Sequence, residues 1–346
     1  MRADLALVGF GNVGRRFARL IEERRDWLAL DYDLECRIVG IATRRHGATF
    51  RDAGLDAVGL AVRMEGGHPI VDAGTEAADS FDVVRRLAES AAPLKVLIET
   101  TTLDIKAGQP AIDHVRAALQ AGCHAVTANK GPAAFAFEEL SAVATDRDRS
   151  FLFEGAVMDG IPVFNLARET LPLVAVRGFR GIVNTTTNYL LTAMEDGRPF
   201  DAALAEMQAA GIAEANPSLD VDGWDAAAKA AALANALLGA RLTPHEVVRE
   251  GISASTAARA LSARAGGRRL KLVASAARAD DGVSAQVALQ ELAADDLLAG
   301  LDGQQNGIIF QTDLLGEMAI VQRGSGLTQT AYALLSDLIA IARQVE

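Results

Sequence analysis

The stretch DAAAKAAALANALLGA, residues 225–240, carries one positive charge, Lys229, among alanines and leucines. Its nearest charged neighbour is Asp225, four residues earlier and so one helical turn away. Just upstream, EANPSLDVDGW gathers Glu214, Asp220 and Asp222. A helix that is apolar all round is a buried one. Burial of a lysine among apolar groups disfavours the ammonium, while the charge of Asp225 one turn away favours it and can orient it. A lysine so placed could give a proton to a reacting oxygen or take one from it. Carboxylates at the entrance of the helix could hold a substrate ammonium, though Glu214 and Asp222 could equally do no more than complement the helix dipole. An exposed i,i+4 pair between Asp225 and Lys229 is the plain alternative, worth roughly a few tenths of a kcal/mol. It fits poorly, because no other charge lies between 226 and 240 to give the helix a solvated face.

A second set of residues points to a nucleotide. GFGNVG, Gly9 to Gly14, follows an apolar run at the N-terminus and precedes RRFARLIEE. In that strand–turn–helix context Gly9 permits a tight turn, Gly11 admits a pyrophosphate against the backbone, and Gly14 lets helix and strand pack closely. Asn12 and Val13 complete the turn, where the helix N-terminus offers free N–H groups. A tight turn without a ligand is the alternative. The second strand ends in IATRRHG, where Arg44 and Arg45 replace the acidic residue that usually holds the ribose of NAD. A guanidinium pair suits a 2′-phosphate, so NADP is expected over NAD, although solvated loop arginines would look the same. Lys130, in TANKGP, follows a strand and so falls on the edge of the sheet where ligands bind.

These residues require a scaffold. Strand and helix patterns alternate over about 150 residues, which argues for an α/β fold with a parallel sheet of Rossmann type and helices on both faces. The expected division is a nucleotide-binding domain at 1–153, completed by a C-terminal helix at 326–346, and an interleaved α+β catalytic and dimerisation domain at 154–325. A second sheet, expected from about 270 to 323, is too small to leave its faces exposed and would pair across a two-fold axis as a homodimer.

Composition narrows the classes. The 346 residues are 50% apolar with a net charge of −11. Scattered positive charge argues against nucleic acid as a partner. Cys36 and Cys123 have no metal-ligand spacing, and His114, His124 and His245 read as structural. No apolar run is long enough for a membrane span, and no signal peptide is seen. A cytoplasmic enzyme acting on a small molecule is expected.

The stretch KVLIETTTLDIKAGQPAIDHVRAALQAGCHAVTANKGP resembles the matching segment of the homoserine dehydrogenases. FEGAVMDGIPV, GIVNTTTNYLL, GIAEANPSLDVDGWDAAAK and LDGQQNGIIFQTDLLGEMAIVQRGSG follow in family order, so the resemblance spans nearly the whole chain. It implies NAD(P)-dependent interconversion of homoserine and aspartate 4-semialdehyde, in threonine and methionine biosynthesis. It further implies that Glu214 and Asp225 hold homoserine, with Gly181 beside them, and that Lys130 and Lys229 lie at the reacting centre. Thr101 and Gly326 match cofactor contacts. Glu154, Val157, Asp159 and Ile161 match a loop that surrounds a sodium ion. Thr185 and Asn216 stand where the family usually has glycine and aspartate, and Asp159 and Arg323 where it has a small residue and proline. The chain ends at 346, so the C-terminal regulatory domain of longer relatives is not expected. The rival readings are a dehydrogenase of another small amino or hydroxy acid and a non-catalytic NADP sensor.

Overall fold

A strand covered on both faces must be apolar along its whole length. Leu5–Val8 and Val96–Ile98 meet that demand, each residue being at most 2% exposed. They form the middle of a seven-stranded sheet in the computed structural model, which describes residues 1–70, 74–210, 213, 216–280, 282–324 and 326–345. The strands are β1 (Arg2–Val8), β2 (Glu35–Thr43), β3 (Gly47–Phe50), β4 (Thr75–Ala77), β5 (Leu94–Glu99), β6 (His124–Thr127) and β7 (Phe151–Leu152). Their spatial order is β4-β3-β2-β1-β5-β6-β7. Alternate residues of β1 feed two cores. Leu5 and Leu7 pack with Phe17, Leu20 and the C-terminal residues Leu334 and Leu338, whereas Ala6 and Val8 join Val83, Leu87 and Ala118.

The sheet is not wholly parallel, as the strand–helix alternation had suggested. β3 and β4 run antiparallel to their neighbours. The short turn at residues 44–46 permits only a hairpin return, since a parallel crossover needs a dozen or more residues.

The chain divides into two compact units, Met1–Asn165 with Gly326–Glu346, and Leu166–Ser325. The first compact unit thus runs on to 165, beyond the expected 153. The final helix, Leu327–Val345, explains the shift. Its Asp337, 1% exposed, accepts from Glu154 N at 2.8 Å and from Asn165 Nδ2 at 3.1 Å, which keeps residues 154–165 with the first unit.

The second unit has a six-stranded sheet from β8 (Val176–Ile182), β9 (Val248–Arg249), β10 (Arg268–Ala279), β11 (Gly282–Ala293), β12 (Asn306–Thr312) and β13 (Glu317–Gln322). The order is β13-β12-β8-β10-β11-β9. β8 therefore lies inside a sheet that was expected to begin near 270. Helices Thr185–Glu195, Trp224–Leu238 and Thr256–Ala265 pack against β10. The sheet also carries an open groove of about 390 Å³ lined by small residues such as Ser275, Ala277, Ser284 and Ala285. Among the described residues no helix is long and apolar enough to cross a membrane.

Candidate functional site

The carboxyl edge of the first unit's sheet is built for a dinucleotide. Gly9 turns the chain at φ +89°, and a Cβ there would lie 2.5 Å from the Thr100 carbonyl carbon. A Cβ on Gly14 would lie 2.6 Å from Gly9 O. A Cβ on Gly11 would meet nothing within 4 Å, so space is kept open in front of the turn. Gly11 precedes helix Asn12–Glu23 without any side-chain cap, leaving its first N–H groups for an anion. The residues present therefore fit a nicotinamide dinucleotide. Asn12 Oδ1 accepts from Arg15 at 2.7 Å, and Val13 is partly buried behind it. Arg44 and Arg45 are both exposed in the turn after β2.

The ends of β5 and β6 are laced together beside this turn. Glu99, fully buried, accepts from Thr101 N at 2.8 Å, from the Thr101 hydroxyl, and from the Thr127 hydroxyl at 2.7 Å. Burial pushes its carboxyl up to about 7, against these donors, which pull it down. Asn129 caps helix Lys130–Phe135 through Gly131 N at 2.8 Å and donates to Thr101 O at 2.9 Å. Lys130 opens that helix and is partly exposed. Gly326, exposed, accepts from Gln329 N at 3.1 Å at the start of the final helix.

The loop expected to surround sodium is tied to the final helix and to residues 163–165. Glu154 is 2% exposed, and its two carboxylate oxygens accept from Phe164 N at 3.0 Å and Asn165 N at 2.5 Å. Asp159, at φ 55°, accepts from the Thr330 hydroxyl at 3.1 Å, and Ile161 O accepts from Val163 N at 2.8 Å. The side-chain oxygens of Glu154 and Asp159 are thus engaged within the protein, which leaves main-chain carbonyls such as that of Val157 as the further oxygens an ion could use here. Among the described residues no group of three or more His, Cys, Asp or Glu could hold a metal.

In the second unit the lysine helix spans Trp224–Leu238, and Ala226, Ala230 and Leu233 are buried as its composition requires. Lys229 Nζ lies 2.9 Å from Asp225 Oδ2 and donates to Val183 O at 2.6 Å. Both side chains are 14% exposed. The pair does have i,i+4 spacing, but it is recessed instead of lying on a solvated face. Asn184 organises it. Its Oδ1 accepts from Thr187 N at 2.8 Å, capping helix Thr185–Glu195. Its Nδ2 donates to Asp220 at 2.8 Å and to Asp225 at 2.9 Å. Burial, and then the neighbouring negative charge of Asp225, raise the Asp220 carboxyl above its usual range; the Asn184 hydrogen bond and Lys229 oppose this.

Asn184 was not singled out from sequence, and Asp220 was noted among the entrance carboxylates without a role of its own. The signal for Asn184 was an Asn directly before a Thr-rich helix start, which is a strong cap. Nothing local marked Asp220 over the exposed Asp222. Glu214 lies outside the described residues. Gly181 sits inside β8, where a Cβ would lie 2.7 Å from Gly307 O, so close strand packing accounts for a glycine there. Thr185, in place of the family glycine, accepts from Asn306 Nδ2 at 2.9 Å.

Burial alone does not mark a reactive lysine. Lys271 on β10 is 0% exposed, with Nζ 2.6 Å from Leu301 O and 3.2 Å from Asp302 Oδ1. Desolvation lowers its pKa, yet its partners are a turn carbonyl and structural side chains. Lys229 differs in keeping 14% of its side chain exposed, where a small molecule can reach it, beside the two carboxylates that Asn184 holds.

Comparison with known proteins places the chain in a family. The family model for the homoserine dehydrogenase NAD-binding domain matches residues 9–154, and that for homoserine dehydrogenase matches residues 162–339. An NAD(+)-dependent homoserine dehydrogenase of Pseudomonas canavaninivorans is 39% identical over 97% of this chain and 95% of its own length. A homoserine dehydrogenase of Methanocaldococcus jannaschii is 36% identical over 98% of both chains. The crystal structure of a homoserine dehydrogenase from Thiobacillus denitrificans superimposes with a TM-score of 0.83 at 30% identity, covering 99% of this chain and 74% of that one. The chain belongs to the homoserine dehydrogenase family, NAD(P)-dependent oxidoreductases of amino-acid biosynthesis that act on a CH–OH group.

Proposed function

We propose that Lys229 carries the hydroxyl proton of homoserine, that Asp220 and Asp225 receive the substrate's ammonium, and that NADP is the favoured cofactor. The observation that carries the reading is the carboxylate pair held by one Asn184 amide beside Lys229. Two carboxylates and one ammonium leave one negative charge among these three groups, and a substrate ammonium would neutralise it. Its arrival would also relieve the burial and like-charge repulsion that raise the Asp220 carboxyl. Glu214, carried over from the family, would add a further carboxylate.

When bound, the nicotinamide accepts hydride in alcohol oxidation and gives it in the reverse direction. Lys229, with an acceptor on either side, is oriented to give a proton to the aldehyde oxygen as it becomes an alkoxide, and to recover it in homoserine oxidation. Thr101, Gly326 and the Gly9–Gly14 turn would meet the cofactor, and Lys130, carried over from the family, would stand beside it at the reacting centre. The threonine and methionine branches and a cytoplasmic location complete the reading. A homodimer is favoured by the open groove on the second sheet and by Leu314, Leu315 and Val321, which are exposed.

NADP rests on the exposed Arg44 and Arg45. NAD is the second reading, favoured by the likeness to the NAD(+)-dependent homoserine dehydrogenase of Pseudomonas canavaninivorans.

Replacing Lys229 by alanine is expected to lower kcat for homoserine oxidation by about 10²- to 10⁴-fold, with cofactor affinity changed less than about twofold. An unchanged kcat would exclude Lys229 as the proton carrier. Arg44→Asp should shift the NADP/NAD ratio of kcat/KM toward NAD by about tenfold or more, the equivalent of about 1.4 kcal/mol; an unmoved ratio removes that loop from cofactor choice. Light scattering should give the mass of two 36.3 kDa chains, and the mass of one would refute the dimer.

A further inference from the structure

Three strand ends meet at Glu99. It is the last residue of β5, paired with Val8 of β1 on one side and Thr127 of β6 on the other. No polar side chain in the first unit is more deeply buried among the described residues, since Glu99 is 0% exposed. Its three hydrogen-bond partners are all donors drawn from two loops, Thr101 N and hydroxyl after β5 and the Thr127 hydroxyl at the end of β6. The arrangement continues outward from each. Thr127 Oγ1 accepts from Asn129 N at 2.9 Å, and Asn129 caps the helix that Lys130 opens. Thr100, next to Glu99, donates its hydroxyl to Gly9 O at 2.5 Å and its N–H to Val8 O at 2.8 Å.

We infer that Glu99 is a positioning residue that locks the Thr101 loop to the Lys130 loop, serving cofactor binding through the first and turnover through the second. The inference rests on the reading that places Thr101 at the cofactor and Lys130 at the reacting centre. A carboxylate is required because only it accepts from all three donors at once. An amide of the same shape keeps one acceptor oxygen for Thr101 and turns its NH₂ on Thr127 Oγ1, which already accepts from Asn129 N, so the Thr127 hydroxyl loses the acceptor that orients it. Burying a charge without a cation at hand is costly, which is seen in the carboxyl's rise to about 7. A glutamine would avoid that cost, so a sheet selected only for stability has no need of the acid.

The test uses the full-length enzyme with Glu99→Gln and Thr127→Val. Cofactor Kd is measured by calorimetry, homoserine KM and kcat by absorbance, and Tm by calorimetry. Glu99→Gln is expected to raise cofactor Kd about tenfold and lower kcat about tenfold, with homoserine KM within twofold and Tm unchanged or higher. Thr127→Val frees only the Lys130 side, so kcat should fall while cofactor Kd stays within twofold. Wild-type values for Kd and kcat in Glu99→Gln would overturn the inference. So would a loss of every parameter in step with Tm in both variants, which would make Glu99 structural. A wild-type enzyme that binds cofactor but fails to turn over homoserine would overturn the underlying reading instead, whatever the variants do.

Discussion

One amide carries the arrangement in the second unit. Asn184 caps a helix with its oxygen and grips two carboxylates with its nitrogen. Without that nitrogen, Asp220 and Asp225 would be two recessed like charges that no longer share a donor. With it, the start of one helix, the corner before another, and the lysine one turn into that second helix are held in a single register. The backbone contributes through Val183 O, which fixes Lys229 Nζ from the strand side. Neither helix would need to be this apolar to fold. The alanines let it sit against β10 and β11 so that its polar first turn meets Asn184.

The first unit solves a similar problem with the charge reversed in role. There the buried group is an acid without a cation, and the stabilising partners are hydroxyls and a backbone N–H. The glycine turn depends on the same edge, because Thr100 fills the volume that any side chain on Gly9 would take. Both halves of the chemistry are thus placed by polar groups at the ends of regular elements, where the backbone has N–H and C=O groups to spare.

Much of this was legible in the residues. The glycine spacing, the strand ends and the charge-poor lysine helix each have a local period or a local exception. What was not legible is long-range. Asn184 and Asp225 are 41 residues apart, and nothing in NTTTNY or SLDVDGW states that they meet. Asp222 looked as good as Asp220 until the corner at Gly223, with φ +79°, turned one inward and left the other exposed. The domain boundary moved because a carboxylate on the last helix, Asp337, reaches back to Glu154. Lys271 corrects a rule of thumb: a fully buried lysine can be engaged wholly by Leu301 O, Asn188 and Asp302, so a recess still open to a small molecule, not burial, distinguishes Lys229.

The central claim is that the Asp220–Asp225 pair reads the substrate's ammonium. The most direct measurement compares kcat/KM for homoserine with that for 4-hydroxybutyrate, the same alcohol without the amine, in the wild type and in Asp220→Asn. The wild type should prefer homoserine strongly, and the variant should lose about tenfold or more of that preference. A preference that survives Asp220→Asn undiminished would contradict the account.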